Sequence, residues 1–147
     1  MYNTVIALQG KSQTGKTETL KRFINLLCND GWDMINLSKR STVDSTVIMK
    51  NIVHRTEYKI FVTTLGDYRS VLESAFNKCK EQCDLYICAC HLSGSTHEYL
   101  EEHSKTVYYW NCSYNGLEKS EARFNQKRAQ ELYEYMKFNL FDNSIKY

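Results

Sequence analysis

The feature that most constrains this chain is the short loop Gly10–Thr17, which has glycines at its two fixed turn positions and ends in a lysine and a threonine. The apolar run Thr4–Leu8 precedes it and is typical of a buried strand. After the loop, apolar residues recur at the spacing of one helix face: Leu20, Phe23, Ile24 and Leu27. The segment therefore predicts a strand, a loop and a helix in that order, which is one unit of an α/β domain.

The spacing within this loop suits the binding of phosphate groups. The glycines let successive backbone N–H groups converge on one point without a Cβ in the way. Lys16 supplies a positive charge for the β- and γ-phosphate oxygens, the Thr17 hydroxyl is a ligand for Mg²⁺, and the helix N-terminus adds its dipole. We therefore expect this loop to hold a nucleoside triphosphate. Its binding residues are Gly10, Lys11, Ser12, Gln13, Thr14, Gly15, Lys16 and Thr17.

Through the pattern G-x-x-x-x-G-K-T, the chain resembles the P-loop NTPase superfamily. The resemblance lies at the level of the superfamily and assigns no family within it. It implies a three-layer α/β domain, a triphosphate with Mg²⁺ as ligands, and a catalytic role for Lys16. The sequence has no N-K-x-D motif for reading guanine, so ATP is the expected nucleotide, with other triphosphates open.

Length and charge agree with a small α/β protein. A chain of 147 residues predicts a single domain over 1–147. The formal charge of +2 gives no clear signal for nucleic acid. The sequence has neither a run of roughly 18 apolar residues nor the charged start and cleavage site of a secretory signal. We expect a cytoplasmic protein that does not associate with membranes.

The six cysteines lack the spacing of a metal site. Cys79 and Cys83 fall on one predicted helix, Cys88 and Cys90 fall on one predicted strand, and Cys28 and Cys112 stand alone. The pattern predicts reduced thiols that pack as small hydrophobic groups, and no structural metal.

The rest of the chain predicts alternating strands and helices around a mainly parallel sheet. The runs Val47–Val53 and Tyr58–Leu65 are separated by four residues, which is too short for a parallel crossover and predicts an antiparallel hairpin. The other predicted elements are strands at Trp32–Leu37, Leu85–Cys90 and Thr106–Asn111, and helices from near Tyr68, over Ser95–His103 and from about Glu118 to Leu140.

Ligands of open α/β sheets bind beyond the carboxyl ends of the parallel strands. Asp67 follows the strand Tyr58–Leu65 at this edge, so it is the best candidate for the Walker B carboxylate that holds Mg²⁺ and supports catalysis. It comes later than usual, because Thr63 and Thr64 stand where such a strand normally ends in an acidic residue. A cap of the following helix is an equally open role for Asp67.

The polar segment Ser38–Thr46 is expected to end at the same edge, in a position similar to the first switch loop of small GTPase-like domains, with Gly66-Asp67 similar to the second. Candidate contacts to Mg²⁺ or the γ-phosphate are Thr42, Asp44, Ser45 and Thr46, and Lys39 or Arg40 suit an acidic substrate. A solvated polar loop is the alternative for each of them.

Lys11 resembles the signature lysine of the deviant Walker A ATPases, in which it reaches the nucleotide of a dimer partner. The middle of the loop differs from that group, with Ser12-Gln13 in place of two glycines. A solvent-facing lysine or a phosphate contact within the same chain are the alternatives, and a protein partner or dimer remains open.

These features favour a Mg²⁺-dependent NTPase. A small nucleotide or metabolite kinase is the first alternative, with His91 and Ser93 at an acceptor pocket or in an ordinary turn. The connection after Cys90 is too short for a full lid. A nucleotide-gated interaction module is the second alternative. On the last helix, Arg123, Lys127 and Arg128 are expected to form a solvated face, or to place one arginine near the phosphates.

Overall fold

The computed structural model describes residues 1–11, 15–38, 45–66, 68–112 and 122–142. The strands are β1 (Tyr2–Gln9), β2 (Asp33–Asn36), β3 (Thr46–Val53), β4 (Thr56–Thr63), β5 (Leu85–Cys90) and β6 (Ser104–Asn111). The helices are α1 (Lys16–Asn29), α2 (Arg69–Asn77), α3 (Ser95–His103) and α4 (Ala122–Lys137), which continues into a π-helical turn over Phe138–Asp142.

The described strands form one mixed sheet in the order β2-β3-β4-β5-β1-β6. β1 pairs in parallel with β5 and β6, and β5 pairs in parallel with β4. β3 runs antiparallel to both of its neighbours, β2 and β4. This confirms the predicted α/β class, with a mainly parallel sheet and one reversed hairpin strand. It also places β5 between β1 and β4, which sets the distances at the candidate site.

The β3–β4 hairpin turns more tightly than the sequence predicts. β4 begins at Thr56, so two residues connect the strands instead of four. These residues, His54 and Arg55, both have positive φ, at 52° and 67°. Two positive φ values are the signature of a two-residue turn whose twist matches that of the strands it joins.

The sheet is covered on both faces, which makes three layers. Alternate residues of β1 point to opposite sides: Ile6 packs into the core beneath α1 and α4, whereas Val5 packs into the core beneath α2 and α3. The second core is rich in aromatic rings, with Phe61 and Phe76 at 4.9 Å between centroids. The predicted layer arrangement is therefore present.

Helix α1 forms as its apolar spacing predicts. The four apolar residues on its buried face, Leu20, Phe23, Ile24 and Leu27, are all buried. Full burial of such a side chain contributes about 1.5–3 kcal/mol. The helix ends at Asn29, and Gly31 follows with φ at 89°, a conformation that glycine adopts without strain.

Helix α2 is shorter than the sequence predicts. It ends at Asn77, so Cys79 and Cys83 lie beyond it and not on one helix. The amides of Lys78 and Cys79 donate to the carbonyls three residues earlier, at 3.2 and 3.0 Å. This tighter bonding closes the last turn and ends the helix.

Helix α4 covers the sheet beside α1 with an apolar stripe. Ala129, Leu132 and Met136 are buried on this stripe. Among the described residues, no helix has both the length and the apolar composition that crossing a bilayer requires.

Candidate functional site

Lys16 lies at the carboxyl edge of the sheet, between the ends of β1 and β5. Its side chain is 5% exposed. Its Nζ atom donates to the carbonyl oxygens of Gly10, at 2.6 Å, and of Cys90, at 3.0 Å. Gly10 follows β1 and Cys90 ends β5, so the ammonium lies between the carboxyl ends of two adjacent parallel strands. Because a buried ammonium is costly unless it is hydrogen-bonded, these carbonyls explain how the fold keeps a charge at this edge.

Gly15 forms the entry to α1. Its φ and ψ are 83° and 16°, in the left-handed region that favours glycine. Its carbonyl accepts the amide of Thr19 at 2.9 Å, which begins the helix. The first N–H groups of a helix have no acceptor within it, and an anion is a suitable partner for them. Thr17 is half-buried in this first turn.

The structure thus brings together Gly10, Gly15, Lys16 and Thr17 at one edge of the sheet. Lys11 is exposed at the start of the loop. The other three predicted binding residues, Ser12, Gln13 and Thr14, lie outside the described residues.

Gly66 brings the chain that leaves β4 against the end of β5. A Cβ at this position would lie 1.8 Å from the carbonyl oxygen of Ala89 and 2.4 Å from its carbonyl carbon. No side chain fits in that space, so the close approach itself requires glycine. Ala89 directly precedes Cys90, whose carbonyl accepts from Lys16. Asp67 follows Gly66 in the sequence and lies outside the described residues.

The two threonines at the end of β4 bind the neighbouring strand. The hydroxyls of Thr63 and Thr46 lie 2.9 Å apart in a buried hydrogen bond. The amide of Ser45 donates to the Thr64 hydroxyl at 2.9 Å, and the amide of Thr64 donates to the Ser45 carbonyl at 2.9 Å. These hydrogen bonds join the ends of β3 and β4 on the side of the hairpin away from its turn.

The structure does not bring Ser45 and Thr46, which were predicted to contact the phosphates, close to the strand end that holds Lys16. β3 is two strands away from β5, and neighbouring strands lie about 4.8 Å apart, so roughly 10 Å separates β3 from the strand end that holds Lys16. Periodicity does not reveal that β5 stands between β1 and β4, so this separation could not be read from the sequence. The remaining candidates of this segment, Lys39, Arg40, Thr42 and Asp44, lie outside the described residues.

Arg128 is a second cation at the carboxyl edge of the sheet. The sequence favoured a solvent-facing position for this residue instead. Its guanidinium donates to the carbonyl of Cys112, at 2.9 Å, and to Asn125 Oδ1, also at 2.9 Å. Cys112 follows β6, and its amide donates to the carbonyl of Gln9 at 2.8 Å. Asn125, only 1% exposed, is a polar residue within the apolar stripe of α4. This interruption of the stripe is the sequence feature that could have indicated a buried polar contact here.

The buried thiols of this region are held neutral. Burial raises the pKa of the Cys90 thiol to about 12, against the opposing effect of the Lys16 ammonium. Burial also raises the pKa of Cys112, and the positive charges of Arg128 and Lys16 oppose that rise. The positive charges of Lys16 and Arg128 therefore both influence the region beyond the ends of β1 and β6. The two thiols are neutral and add no negative charge there.

The residues after β5 form a compact connection. The carbonyl of His91 is hydrogen-bonded to His97 Nε2 at 2.8 Å, and the His97 ring stacks on Tyr109 with centroids 4.2 Å apart. Ser93 is exposed. Residues 91–103 are all described and contain one helix of nine residues, α3, so no lid is inserted between β5 and β6.

A separate cavity of about 280 Å³ lies between β6 and α4, lined in part by Tyr108, Trp110 and Tyr135. It also contacts Ile6, which is four residues before Gly10, or roughly 13 Å along the strand. The cavity is therefore not part of the Lys16 site.

No family model, curated protein or solved structure matches this chain.

Proposed function

We propose that this protein binds a nucleoside triphosphate, with ATP as the expected nucleotide, at Gly10–Thr17 and hydrolyses it with Mg²⁺. The observation that carries the proposal is the buried Lys16, held between the ends of β1 and β5 directly after a left-handed glycine at a helix N-terminus. Backbone amides, a lysine and a helix dipole that converge in this way form a site for phosphate groups.

Phosphate oxygens are stronger acceptors for Lys16 than the two carbonyls that it contacts, because a phosphate carries a formal negative charge and a carbonyl oxygen only a partial one. The lysine side chain is long enough to exchange these acceptors while its backbone stays fixed in α1. Lys16 then orients the β- and γ-phosphates and stabilises the charge that develops on them.

The donor chemistry at this edge also fits Mg²⁺, which prefers oxygen ligands. Thr17 would hold the ion through its hydroxyl, and Asp67, which directly follows Gly66, is the carboxylate that we propose as its second protein ligand. When bound, Mg²⁺ neutralises charge on the phosphates during transfer.

Arg128 is proposed to stabilise the transferring phosphoryl group. Its guanidinium is fixed by Cys112 and Asn125 at the end of β6, beside the strand that leads into the loop. An arginine placed where negative charge develops contributes directly to transition-state stabilisation.

Hydrolysis is favoured over transfer to a second substrate because the β5–β6 connection holds α3 and no lid. A kinase needs such a cover to keep water from the transferring group. Steady phosphate release without an acceptor supports the NTPase, release that requires an acceptor supports a kinase, and binding with negligible turnover supports a nucleotide-gated module.

The binding proposal is tested by titrating Mg²⁺ and a non-hydrolysable ATP analogue into the Lys16→Ala variant. We expect affinity to fall by about 100-fold or more, since each charged hydrogen bond contributes about 1.5–3 kcal/mol. Lys21→Ala is the matched control, because it removes the same charge from the same helix outside the site and should bind like the parent protein. Full affinity in Lys16→Ala would overturn the proposal.

A further inference from the structure

Two cysteines lie close together in the turn that joins α2 to β5. The sulfur atoms of Cys79 and Cys83 are 3.7 Å apart. Cys79 is half-buried, whereas Cys83 is only 2% exposed. A reagent in solution can therefore reach Cys79, whereas Cys83 lies beside it and is shielded by the protein.

The turn is fixed at both ends, so the two thiols are held as neighbours. The amide of Cys79 donates to the Phe76 carbonyl at 3.0 Å. At the other end, the amide of Cys83 donates to the Tyr86 hydroxyl at 2.9 Å. A disulfide has its sulfur atoms about 2.0 Å apart, so the two sulfur atoms, now 3.7 Å apart, need to approach by about 1.7 Å for the bond to form.

The surroundings shift the pKa values of the two thiols in opposite directions. The hydrogen bond from Cys83, followed by a hydrogen bond with the Glu81 backbone and the charge of Lys59, lowers the pKa of Cys79 to about 7, against the opposing effect of burial. The same bond with Cys79, together with burial, raises the pKa of Cys83. Because the thiolate is the reactive form, Cys79 is the nucleophile of the pair at neutral pH.

We propose that Cys79 and Cys83 form a reversible redox site, in which Cys79 reacts with a low-molecular-weight disulfide and Cys83 converts the product into an internal disulfide. The chemistry is thiol–disulfide exchange, and the small disulfide is the oxidant.

The reaction balances in two steps. The Cys79 thiolate attacks one sulfur of the small disulfide, a mixed disulfide forms, and one small thiolate leaves. Cys83 then gives up its proton to that thiolate and attacks the Cys79 sulfur, and the second small thiolate leaves. The bond with the Cys79 thiolate that raised the pKa of Cys83 is lost in the first step, which makes the second step easier.

The site is independent of the proposed nucleotide site. Cys83 precedes the amino end of β5, whereas Lys16 binds at the carboxyl end of the same strand. The other described thiols divide into the buried Cys88, Cys90 and Cys112 and the exposed Cys28. Cys28 therefore serves as an internal control for simple surface oxidation.

The test is to incubate the reduced full-length protein with oxidised glutathione and to map its thiols by mass spectrometry. We expect one internal disulfide between Cys79 and Cys83, reversed by dithiothreitol, while Cys28 carries at most a glutathione adduct. Alkylation of both Cys79 and Cys83 after full incubation, to the same extent as in the reduced protein, would overturn the proposal.

Two variants separate the steps. Cys83→Ser should accumulate the mixed disulfide on position 79, because the second thiol is missing. Cys79→Ser, at a half-buried position, should leave Cys83 without an adduct. An adduct on Cys83 in Cys79→Ser at the rate of Cys28 would assign the reaction to general exposure and contradict the proposed roles. The wild-type mapping decides the proposal even if Cys83→Ser does not fold.

Discussion

The two ends of the sheet hold their lysines in different ways. At the carboxyl end, Lys16 is buried and donates to two backbone carbonyls. At the opposite end, Lys50 and Lys59 are partly exposed and both bind the carboxylate of Glu81, at 3.0 Å each.

The different acceptors of these lysines determine how readily each end of the sheet can bind an anion. A carbonyl carries only a partial negative charge, so an anion that reaches Lys16 gains a stronger interaction than the one it replaces. Lys50 and Lys59 already share a full negative charge, and an incoming anion would compete with Glu81. The same residue type therefore lies in the proposed phosphate site at one end and in a structural ion pair at the other.

The largest effect is expected from Gly66→Ala, which would disrupt the backbone packing at the carboxyl end of the sheet. The new methyl group would meet the Ala89 backbone, which cannot rotate away. We expect a loss of about 3 kcal/mol in the free energy of unfolding, measured by urea denaturation. Gly31→Ala is the control, because it has open space and only a positive φ, and should cost about 1–2 kcal/mol. Equal costs would contradict the proposed close approach.

An intermediate effect is expected from Arg128→Ala. The variant leaves the buried Asn125 oxygen without the guanidinium donor, which should cost about 1–3 kcal/mol of unfolding free energy. If the arginine also stabilises the transferring phosphoryl group, turnover should fall by about 100-fold.

The control for Arg128 is Lys127→Ala, which removes a charge from an exposed neighbour on the same helix. It should change neither stability nor turnover appreciably. Phosphate release that is unchanged in folded Arg128→Ala would restrict the arginine to a structural role.

The smallest effect is expected from Glu81→Gln at the opposite end. Hydrogen bonds from Lys50 and then Lys59 lower the pKa of Glu81 below its ordinary value of 4.5. The ion pairs therefore contribute stability above that value and lose it as the pH falls through the lower folded pKa. Because the groups are exposed to solvent screening, we expect only a small shift of the urea midpoint near neutral pH.

Urea midpoints of the parent protein and Glu81→Gln should converge as the pH falls below the ordinary pKa of Glu81. They should also converge at high salt, since partly exposed pairs are screened. A difference that persists under both conditions would show that the glutamate acts through packing and not through charge.

Local patterns were sufficient to predict most of the elements. The strand Leu85–Cys90 and the helix Ser95–His103 have the predicted bounds, because the first is continuously apolar and the second begins directly after the turn residues Ser93-Gly94. The meeting of Gly10, Gly15, Lys16 and Thr17 was also predicted, since their spacing is contained in one strand, loop and helix.

Relations between distant segments could not be predicted from the sequence. The insertion of β5 between β1 and β4 depends on sheet order, which periodicity does not encode, and it sets β3 with Thr46 roughly 10 Å from the strand end that holds Lys16. Arg128 was assigned by its place on a helix face, yet its long side chain reaches the end of β6. The contact between Cys79 and Cys83 depends on where α2 stops, and helix ends are the least constrained part of a periodic pattern.

The central claim is that Lys16 is placed to bind the β- and γ-phosphates. Its most direct test is a crystal structure with a non-hydrolysable ATP analogue and Mg²⁺. We predict that the Lys16 ammonium lies within about 3 Å of phosphate oxygens and that the Thr17 hydroxyl contacts the metal ion. A nucleotide bound elsewhere, with Lys16 still donating to Gly10 and Cys90, would contradict the account.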